Sequence, residues 1–222
     1  MTNVEVPSAP SQPAETNRDR VSRRQVDKFA ERRAQLAAAA LQTLGELGYA
    51  RTSLREIAQN TEFSHGVLHY YFSDKEDLIT HCVRQYEAAC VTRYDEIVAS
   101  ASSAEELKRE FSAAMAQTLR TDAPMHRLWY DLRNQSLFEE SFRADVLEID
   151  QRREAMIWRV VSRYAELAGI SVTLSPAAVY AILDGLFQQA LLHHLAGSEG
   201  PADDLAANVI RVLDTLDAHS GP

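Results

Sequence analysis

His65 and His69 lie four residues apart in the segment SHGVLHYYF at 64–72, which is rich in polar aromatic side chains. Imidazoles at this spacing share one face of an α-helix, where they can bind a metal ion or donate hydrogen bonds to an anion. Zinc requires three or four ligands of suitable geometry. Glu62, three residues before His65, is not a convincing third ligand, so we predict no metal site and no cofactor.

The segment 64–72 has two different faces when it is drawn as a helix with 100° per residue. Ser64, Val67, Leu68, Tyr71 and Phe72 fall on one arc, which can pack against neighbouring helices. The opposite arc carries imidazole and phenol groups, which can donate to the phosphate oxygens and base edges of a duplex. It consists of His65, Gly66, His69 and Tyr70. We predict that this arc contacts nucleic acid, and a plain solvated face is the alternative.

Three helix starts lie close together in the sequence. Ser53–Glu56 and Ser73–Glu76 each fit a capping box, and Ser64 can cap the short helix between them. A longer helix, capped by a box at Ser22–Gln25, is expected to precede them and to end at Gly48. This spacing indicates a helix-turn-helix. Further candidate nucleic-acid ligands beside its helix starts are Ser53, Arg55, Ser64 and Lys75.

The remainder of the chain predicts only helices. They are expected from Ser73 to Ala99 and near 104–121, 125–136, 140–168, 176–196 and 202–218. The fold class is therefore all-α, with about nine helices and no sheet. Residues 1–21 lack apolar periodicity and are expected to form a disordered tail. Cys82 and Cys90, eight apart on one helix, are too distant to bridge and indicate a reduced, cytosolic protein.

The net charge of −9 is unevenly distributed. Residues 17–75 hold ten Lys and Arg against seven Asp and Glu, whereas residues 76–222 hold thirteen against twenty-three. A locally basic segment suits a phosphate-binding module even in an acidic chain. No stretch approaches the roughly 20 apolar residues of a membrane span, so no membrane association is expected.

The C-terminal helices carry more apolar surface than one core needs. The helix near 176–196 is apolar on two sides, and a second stripe follows in the helix near 202–218. A two-fold interface is the simplest cover for such surface, and an ordinary buried helix in a monomer is the alternative. The predicted interface residues are Ile182, Gly185, Leu186, Ala190, Val209, Leu213 and Leu216.

The segment from Ser53 to Leu78, SLREIAQNTEFSHGVLHYYFSDKEDL, resembles the tetracycline-repressor (TetR) family of bacterial transcription regulators. The family signature is roughly T-x-x-x-I-A-x-x-A-G-V-S-x-G-x-L-Y-x-Y-F-x-x-K-E-x-L, and the spacing here has no gaps. Three departures are Thr61-Glu62 in place of the usual Ala-Gly of the turn, Phe63 in place of valine, and His69 in place of tyrosine. They concern sequence preference, and Glu62 could impose strain where glycine is usual.

The resemblance implies an N-terminal helix-turn-helix domain at 22–75 and an effector-binding and dimerisation domain at 76–222. It implies base or phosphate contacts for Ser53, Arg55, Ser64, His65, Gly66, His69, Tyr70, Tyr71 and Lys75. It also implies an effector pocket in the C-terminal half, for which we select Trp129, Arg133, Phe138, Trp158 and Phe187, and it supports the dimer interface.

Together these features predict a bacterial, cytoplasmic homodimer that binds a palindromic double-stranded DNA operator. A small-molecule effector of unknown identity is expected to release it, and repression is the expected outcome. No enzymatic activity is predicted. The alternatives are a protein-interaction module that uses the aromatic and histidine face, and a helical metal-dependent enzyme.

Overall fold

Nine α-helices and no β-strand make up the residues that the structure describes. The computed structural model describes residues 17–217, with side chains from residue 24 to residue 216. This confirms the predicted all-α fold. The helices are α1 (Asn17–Leu47), α2 (Leu54–Gln59), α3 (His65–Tyr71), α4 (Lys75–Cys90), α5 (Asp95–Ser100), α6 (Ala104–Gln135), α7 (Arg143–Ala168), α8 (Pro176–Leu195) and α9 (Pro201–Asp217).

The first helix begins earlier than its sequence pattern predicts. Helix α1 starts at Asn17, so Ser22 lies inside it and the predicted capping box at Ser22 is wrong. A serine caps only where the backbone leaves the helix, and residues 17–21 contain no glycine or proline to cause this. Residues 1–16 of the predicted tail 1–21 lie outside the described residues, and residues 17–21 belong to α1. Gly48 ends α1 in the left-handed region, with φ of 77°, as predicted.

Helix α4 begins one residue later than predicted. Asp74 is its N-cap, and the Asp74 carboxylate accepts the Asp77 N–H at 2.7 Å. The Asp77 carboxylate accepts the Ser73 N–H at 3.1 Å in return. The start of α4 is therefore capped by Asp74 and Asp77, whereas Glu76 accepts a hydrogen bond from the Tyr49 hydroxyl at 2.8 Å.

The predicted helix from Ser73 to Ala99 is broken at residues 91–94, where α4 ends and a turn leads into α5. In this turn Tyr94 is buried and its ring meets Phe111 of α6 edge-on at 4.9 Å. Arg93 forms an ion pair with Asp122, also on α6. Tertiary contacts to α6 therefore determine the break, and the local apolar pattern does not show them.

The two helices predicted near 104–121 and 125–136 form one helix with a kink. Asp122 has φ −118° and ψ 15°, two residues before Pro124. Proline has no N–H to donate along the helix, and its ring clashes with the preceding turn, which explains the kink.

Two sets of packed helices position the functional surfaces. Helix α3 packs against α1 and α2, and α1 packs against α4; in the second set α6 packs against α7, α8 and α9. Ser175 caps α8 and Pro176 occupies its first turn, as predicted. Within residues 17–217, no helix combines the length and the apolar character that are needed to cross a membrane.

Candidate functional site

Helices α2 and α3 each begin with a serine that satisfies a backbone donor. The Ser53 hydroxyl accepts the Glu56 N–H at 3.2 Å, and the Ser64 hydroxyl accepts the Val67 N–H at 3.3 Å. Both caps agree with the sequence prediction. The turn between the helices contains Glu62. Among the described residues, only glycines have a positive backbone φ. Glu62 therefore imposes no left-handed strain on this turn.

The buried side of α3 is formed by apolar residues at helical spacing. Leu68 is fully buried and Phe72, which ends the helix, is 1% exposed. The Arg33 guanidinium of α1 lies 4.8 Å from the centre of the Phe72 ring, and Arg32 lies 4.8 Å from that of Phe63. These contacts hold α3 by one side and leave its other side outward.

The outward side of α3 consists of the four residues that the helical wheel assigns to it. His65, Gly66, His69 and Tyr70 are exposed, and Tyr70 is 73% exposed. The two imidazole rings are perpendicular, with centroids 4.4 Å apart. A Cβ atom added at Gly66 would meet no atom within 4 Å, so only an external partner could explain a need for glycine here. We name these four residues the outward face of α3.

Tyr71 and Lys75 are partly occupied by contacts within the chain. The Tyr71 ring is half-buried and lies 4.7 Å from the Phe29 ring of α1. The Lys75 ammonium donates to the Tyr49 carbonyl at 3.3 Å and lies 4.0 Å from the centre of the Tyr49 ring. Ser53, Ser64 and Arg55 are exposed beside the outward face.

Metal binding at the histidine pair lacks further ligands in the described part of the chain. Among residues 24–216, no group of three His, Cys, Asp or Glu side chains is arranged to hold an ion. Both cysteines are buried free thiols. Burial raises the pKa of the Cys90 thiol, which keeps it protonated.

A small cavity of about 40 Å³ lies between α6, α7 and α8. Its walls are mainly aromatic and apolar, with a few polar groups, which is the usual composition of a small-molecule site. The wall residues are Tyr94, Met115, His126, Tyr130, Arg153, Met156, Ile157, Tyr180, Leu183, Asp184 and Phe187.

Of the five predicted effector residues, Phe187 lines this cavity. Phe138 does not line it, and its side chain is 83% exposed in the turn that follows α6. Trp129 is fully buried under the Arg153 guanidinium, and Trp158 is half-buried on α7; neither is a wall residue. Arg133 contributes indirectly, since it forms an ion pair with the wall residue Asp184.

The sequence pattern does not predict the cavity residues His126, Arg153 and Tyr180. They come from three different helices and from positions that are up to 54 residues apart. The one local signal was Pro124, next to the kink that precedes His126 and Tyr130. No short motif links these side chains, so periodicity could not have identified them.

The predicted dimer residues divide into two groups. Ile182, Gly185 and Leu186 lie on a side of α8 that is exposed or half-exposed. The second group is already 0–9% exposed within the single chain and comprises Val209, Leu213, Leu216 and Ala190. Their place in a dimer interface stays a prediction. The α9 residues among them pack against α6 and α8, because α9 itself covers that part of the core. Additional exposed apolar residues of α8 are Leu192 and Leu195.

Helix α6 also holds the end of α1. The Arg127 guanidinium donates to the carbonyls of Gly45 and Glu46, the latter at 2.6 Å. The Asp131 carboxylate accepts the Tyr49 N–H at 2.7 Å. These bonds satisfy backbone groups at the C-terminus of α1, so they join the helix-turn-helix to the part of α6 that lines the cavity.

Comparison with known proteins decides the family. The sequence model of bacterial regulatory proteins of the tetR family matches residues 36–82. The chain is 30% identical over 182 residues to the HTH-type transcriptional regulator BetI of Burkholderia thailandensis, covering 79% of this chain and 87% of that protein. The chain belongs to the tetR family. BetI of Burkholderia mallei is 33% identical over 117 residues, which cover 50% of this chain and 58% of that protein.

Solved structures show the same fold at low sequence identity. The putative transcriptional regulator from Pseudomonas aeruginosa PAO1 has a TM-score of 0.68 at 17% identity, covering 85% of this chain and 91% of that one. The regulator FadR from Bacillus subtilis, solved with stearoyl-CoA, has a TM-score of 0.64 at 18% identity, covering 81% and 96%. This tetR-family chain is a DNA-binding transcriptional regulator, as its sequence predicts.

Proposed function

We propose that two copies of this chain bind a palindromic operator through the outward face of α3 and repress transcription until a small molecule releases them. The observation that carries the proposal is the exposure of His65, His69 and Tyr70 on a helix whose opposite side is buried. A helix held in this way can enter a major groove, where donors and aromatic rings meet base edges.

The proposed contacts differ in role. His65, His69 and Tyr70 carry donors that suit base edges, and Gly66 lets the DNA backbone approach the helix. Ser53, Ser64 and Arg55 suit phosphates, because hydroxyl and guanidinium donors dominate backbone contacts. Tyr71 and Lys75 are expected to contribute through donors that their contacts within the chain leave free.

We assign residues 22–75 to DNA binding and residues 76–222 to effector binding and dimerisation. The dimer face proposed for the second unit is the exposed side of α8. It includes Ile182 (40% exposed), Gly185, Leu192 (68% exposed) and Leu195 (48% exposed). An exposed apolar side on an otherwise ordinary surface is typical of an interface. In such a two-fold dimer, the two copies of α3 would lie about 34–36 Å apart, or a multiple of that.

Helix α6 is the proposed link between effector and DNA. His126 and Tyr130 face the cavity, whereas Arg127 and Asp131 hold the end of α1. The cavity can be pictured in two states, the one seen here and a wider one in which α6 is displaced. A ligand that binds the wider state more tightly would shift the population toward it. That displacement would move α1 and α3. It would so change the distance between the two DNA-binding domains of the dimer.

The test begins with selection of bound duplexes from a random DNA pool by the full chain. Affinity for the selected duplex is then measured by fluorescence anisotropy across salt concentrations, together with the stoichiometry. We expect a palindromic site, two chains per duplex and a steep fall of affinity with salt. A chain that enriches no sequence, or that binds the selected duplex as a monomer, would contradict the proposal.

Repression is tested separately with a reporter promoter that carries the selected duplex. Production of the chain should lower transcription from that promoter and leave a promoter with a scrambled duplex unchanged. Raised transcription would make the chain an activator and would leave the DNA-binding proposal intact.

A further inference from the structure

His126 is a buried imidazole without a hydrogen-bond partner. It is 6% exposed, and neither of its ring nitrogens is bonded to any atom of the described residues. Its ring centroid lies 4.4 Å from that of Phe187, and both rings line the cavity. Buried polar groups are nearly always paired in native proteins, so an unpaired one at a cavity wall points to a missing ligand.

The other polar side chains of the cavity wall already have partners within the chain. The Tyr130 hydroxyl bonds to Asp184 at 2.8 Å, and the Tyr180 hydroxyl bonds to Asp150 at 2.9 Å. The Arg153 guanidinium makes two hydrogen bonds to the Glu87 carboxylate, one of them at 2.9 Å. Among the described wall residues, His126 is the polar side chain for which neither ring nitrogen has a partner.

The charges around His126 argue against a cationic ligand. Burial, followed by the positive charges of Arg153 and Arg93, lowers the pKa of His126 well below its usual range. The one carboxylate of the wall, Asp184, is paired with Arg133, so a ligand cation would find no free anion there. The neutral ring offers one N–H donor and one nitrogen acceptor.

The charges also argue against an anionic ligand. Arg153 is paired with Glu87 and Arg93 with Asp122, so an anion would find no free cation at the wall. A buried charge that lacks a partner costs several kcal/mol. The remaining polar contact is one neutral hydrogen bond, surrounded by the rings of Tyr94, Tyr130, Tyr180 and Phe187.

We propose that the effector is a compact, uncharged aromatic molecule with one hydroxyl or carbonyl group, which bonds to His126 while its ring packs among the wall aromatics. This rests on the proposed function, because it specifies the ligand that acts through the cavity. A hydroxyl can pair with either imidazole nitrogen, whereas a carbonyl pairs with the N–H alone.

The cavity must widen to admit a ring, since about 40 Å³ holds only a few atoms. Met115 of α6 and Met156 of α7 are both wall residues, and methionine is flexible enough to reposition. Widening therefore displaces side chains of α6, the helix that holds the end of α1.

The experiment uses four probes with nearly the same body on the full chain: benzyl alcohol, toluene, benzoate and benzylamine. Binding is measured by calorimetry and by the shift in melting temperature. We expect benzyl alcohol to bind at least about tenfold more tightly than toluene, which corresponds to about 1.4 kcal/mol. Benzoate and benzylamine should bind more weakly than benzyl alcohol.

Two variants identify the polar contact. His126→Phe keeps a ring of similar shape without nitrogen, so it should bind toluene and lose the preference for benzyl alcohol. His126→Gln retains a donor and an acceptor and should keep part of that preference. Each variant is first checked for native melting and for binding to the selected duplex.

Three results would overturn the proposal: equal binding of toluene and benzyl alcohol, tighter binding of either charged probe, or no binding of any probe at millimolar concentration. Intact operator binding in the same samples would show that the ligand class has failed while the DNA-binding proposal stands. Loss of operator binding in the unliganded wild-type chain would instead contradict the proposed function.

Discussion

Replacing Glu87 with glutamine should both destabilise the chain and change its ligand preference. Glu87 is 1% exposed and Arg153 is 6% exposed, and they form a bidentate ion pair between α4 and α7. The Arg153 guanidinium also lies 4.7 Å from the centre of the Trp129 ring. The substitution leaves this guanidinium charged, because arginine does not deprotonate in proteins.

The expected loss follows from this burial. Removing one partner of a buried pair costs about 3–5 kcal/mol, because the other charge remains buried and unpaired. Glutamine keeps one acceptor oxygen, so we expect the lower end of that range, about 3 kcal/mol. Adding Arg153→Met removes the unpaired charge and should recover most of the loss, since well-packed apolar replacements of buried pairs are often neutral.

The assay is equilibrium unfolding in urea, with the midpoint and the slope compared among variants. The control is Glu166→Gln, which removes an exposed partner of Arg163 at 3.2 Å and should cost less than about 1 kcal/mol. If Glu87→Gln were as stable as this control, or if the double variant were worse than the single one, the argument from burial would be refuted.

The same variant tests the charge balance of the cavity. With Glu87 neutral, Arg153 becomes a free cation at the wall, so benzoate should gain affinity relative to benzyl alcohol. An unchanged order of the two probes would show that Glu87 does not determine which ligand charge the cavity accepts.

Two further outcomes are expected. Stability should fall as the pH drops below about 6.5, the ordinary histidine pKa, because the unfolded chain takes up a proton that folded His126 resists; the slope per group approaches about 1.4 kcal/mol per pH unit. His126→Phe should reduce the slope of stability against pH, measured by urea titrations between pH 5 and 7. A smaller slope should remain from His81, because burial also lowers the pKa of that side chain. An unchanged slope in His126→Phe would contradict this prediction. Arg127→Gln should cost about 1–2 kcal/mol of stability, because it removes charged donors from two helix-terminal carbonyls. Arg127→Gln should also reduce the effect of benzyl alcohol on operator affinity. Full retention of that effect would show that Arg127 does not couple the cavity to the DNA-binding domain.

The helix-turn-helix was predictable because its determinants are local. Ser53 and Ser64 cap the helices that they directly precede, and the period of Leu68 and Phe72 determines which side of α3 is buried. The α4 cap lies at Asp74, one residue after the predicted Ser73, and Glu76 is bonded to the distant Tyr49. Local patterns therefore give the outward face correctly and its boundaries approximately.

The cavity and the cover of α9 were not predictable in this way. His126, Arg153 and Tyr180 meet only after three helices have packed together. The apolar stripe of α9 showed that Val209 and Leu213 are buried, but not whether by a second copy or by the chain itself. In the structure α6 and α8 cover them. Amphipathicity identifies a buried side and leaves its partner undetermined.

The central claim is that the outward face of α3 selects the DNA sequence. The most direct test is the affinity of His65→Ala, His69→Ala and Tyr70→Ala for every single-base variant of the selected duplex. Phe138→Ala, another exposed aromatic substitution, is the control. The account predicts changes of about 1–3 kcal/mol confined to a few base positions, with unfolding unaltered and the control profile unchanged. Identical base profiles for wild type and all three variants would contradict it.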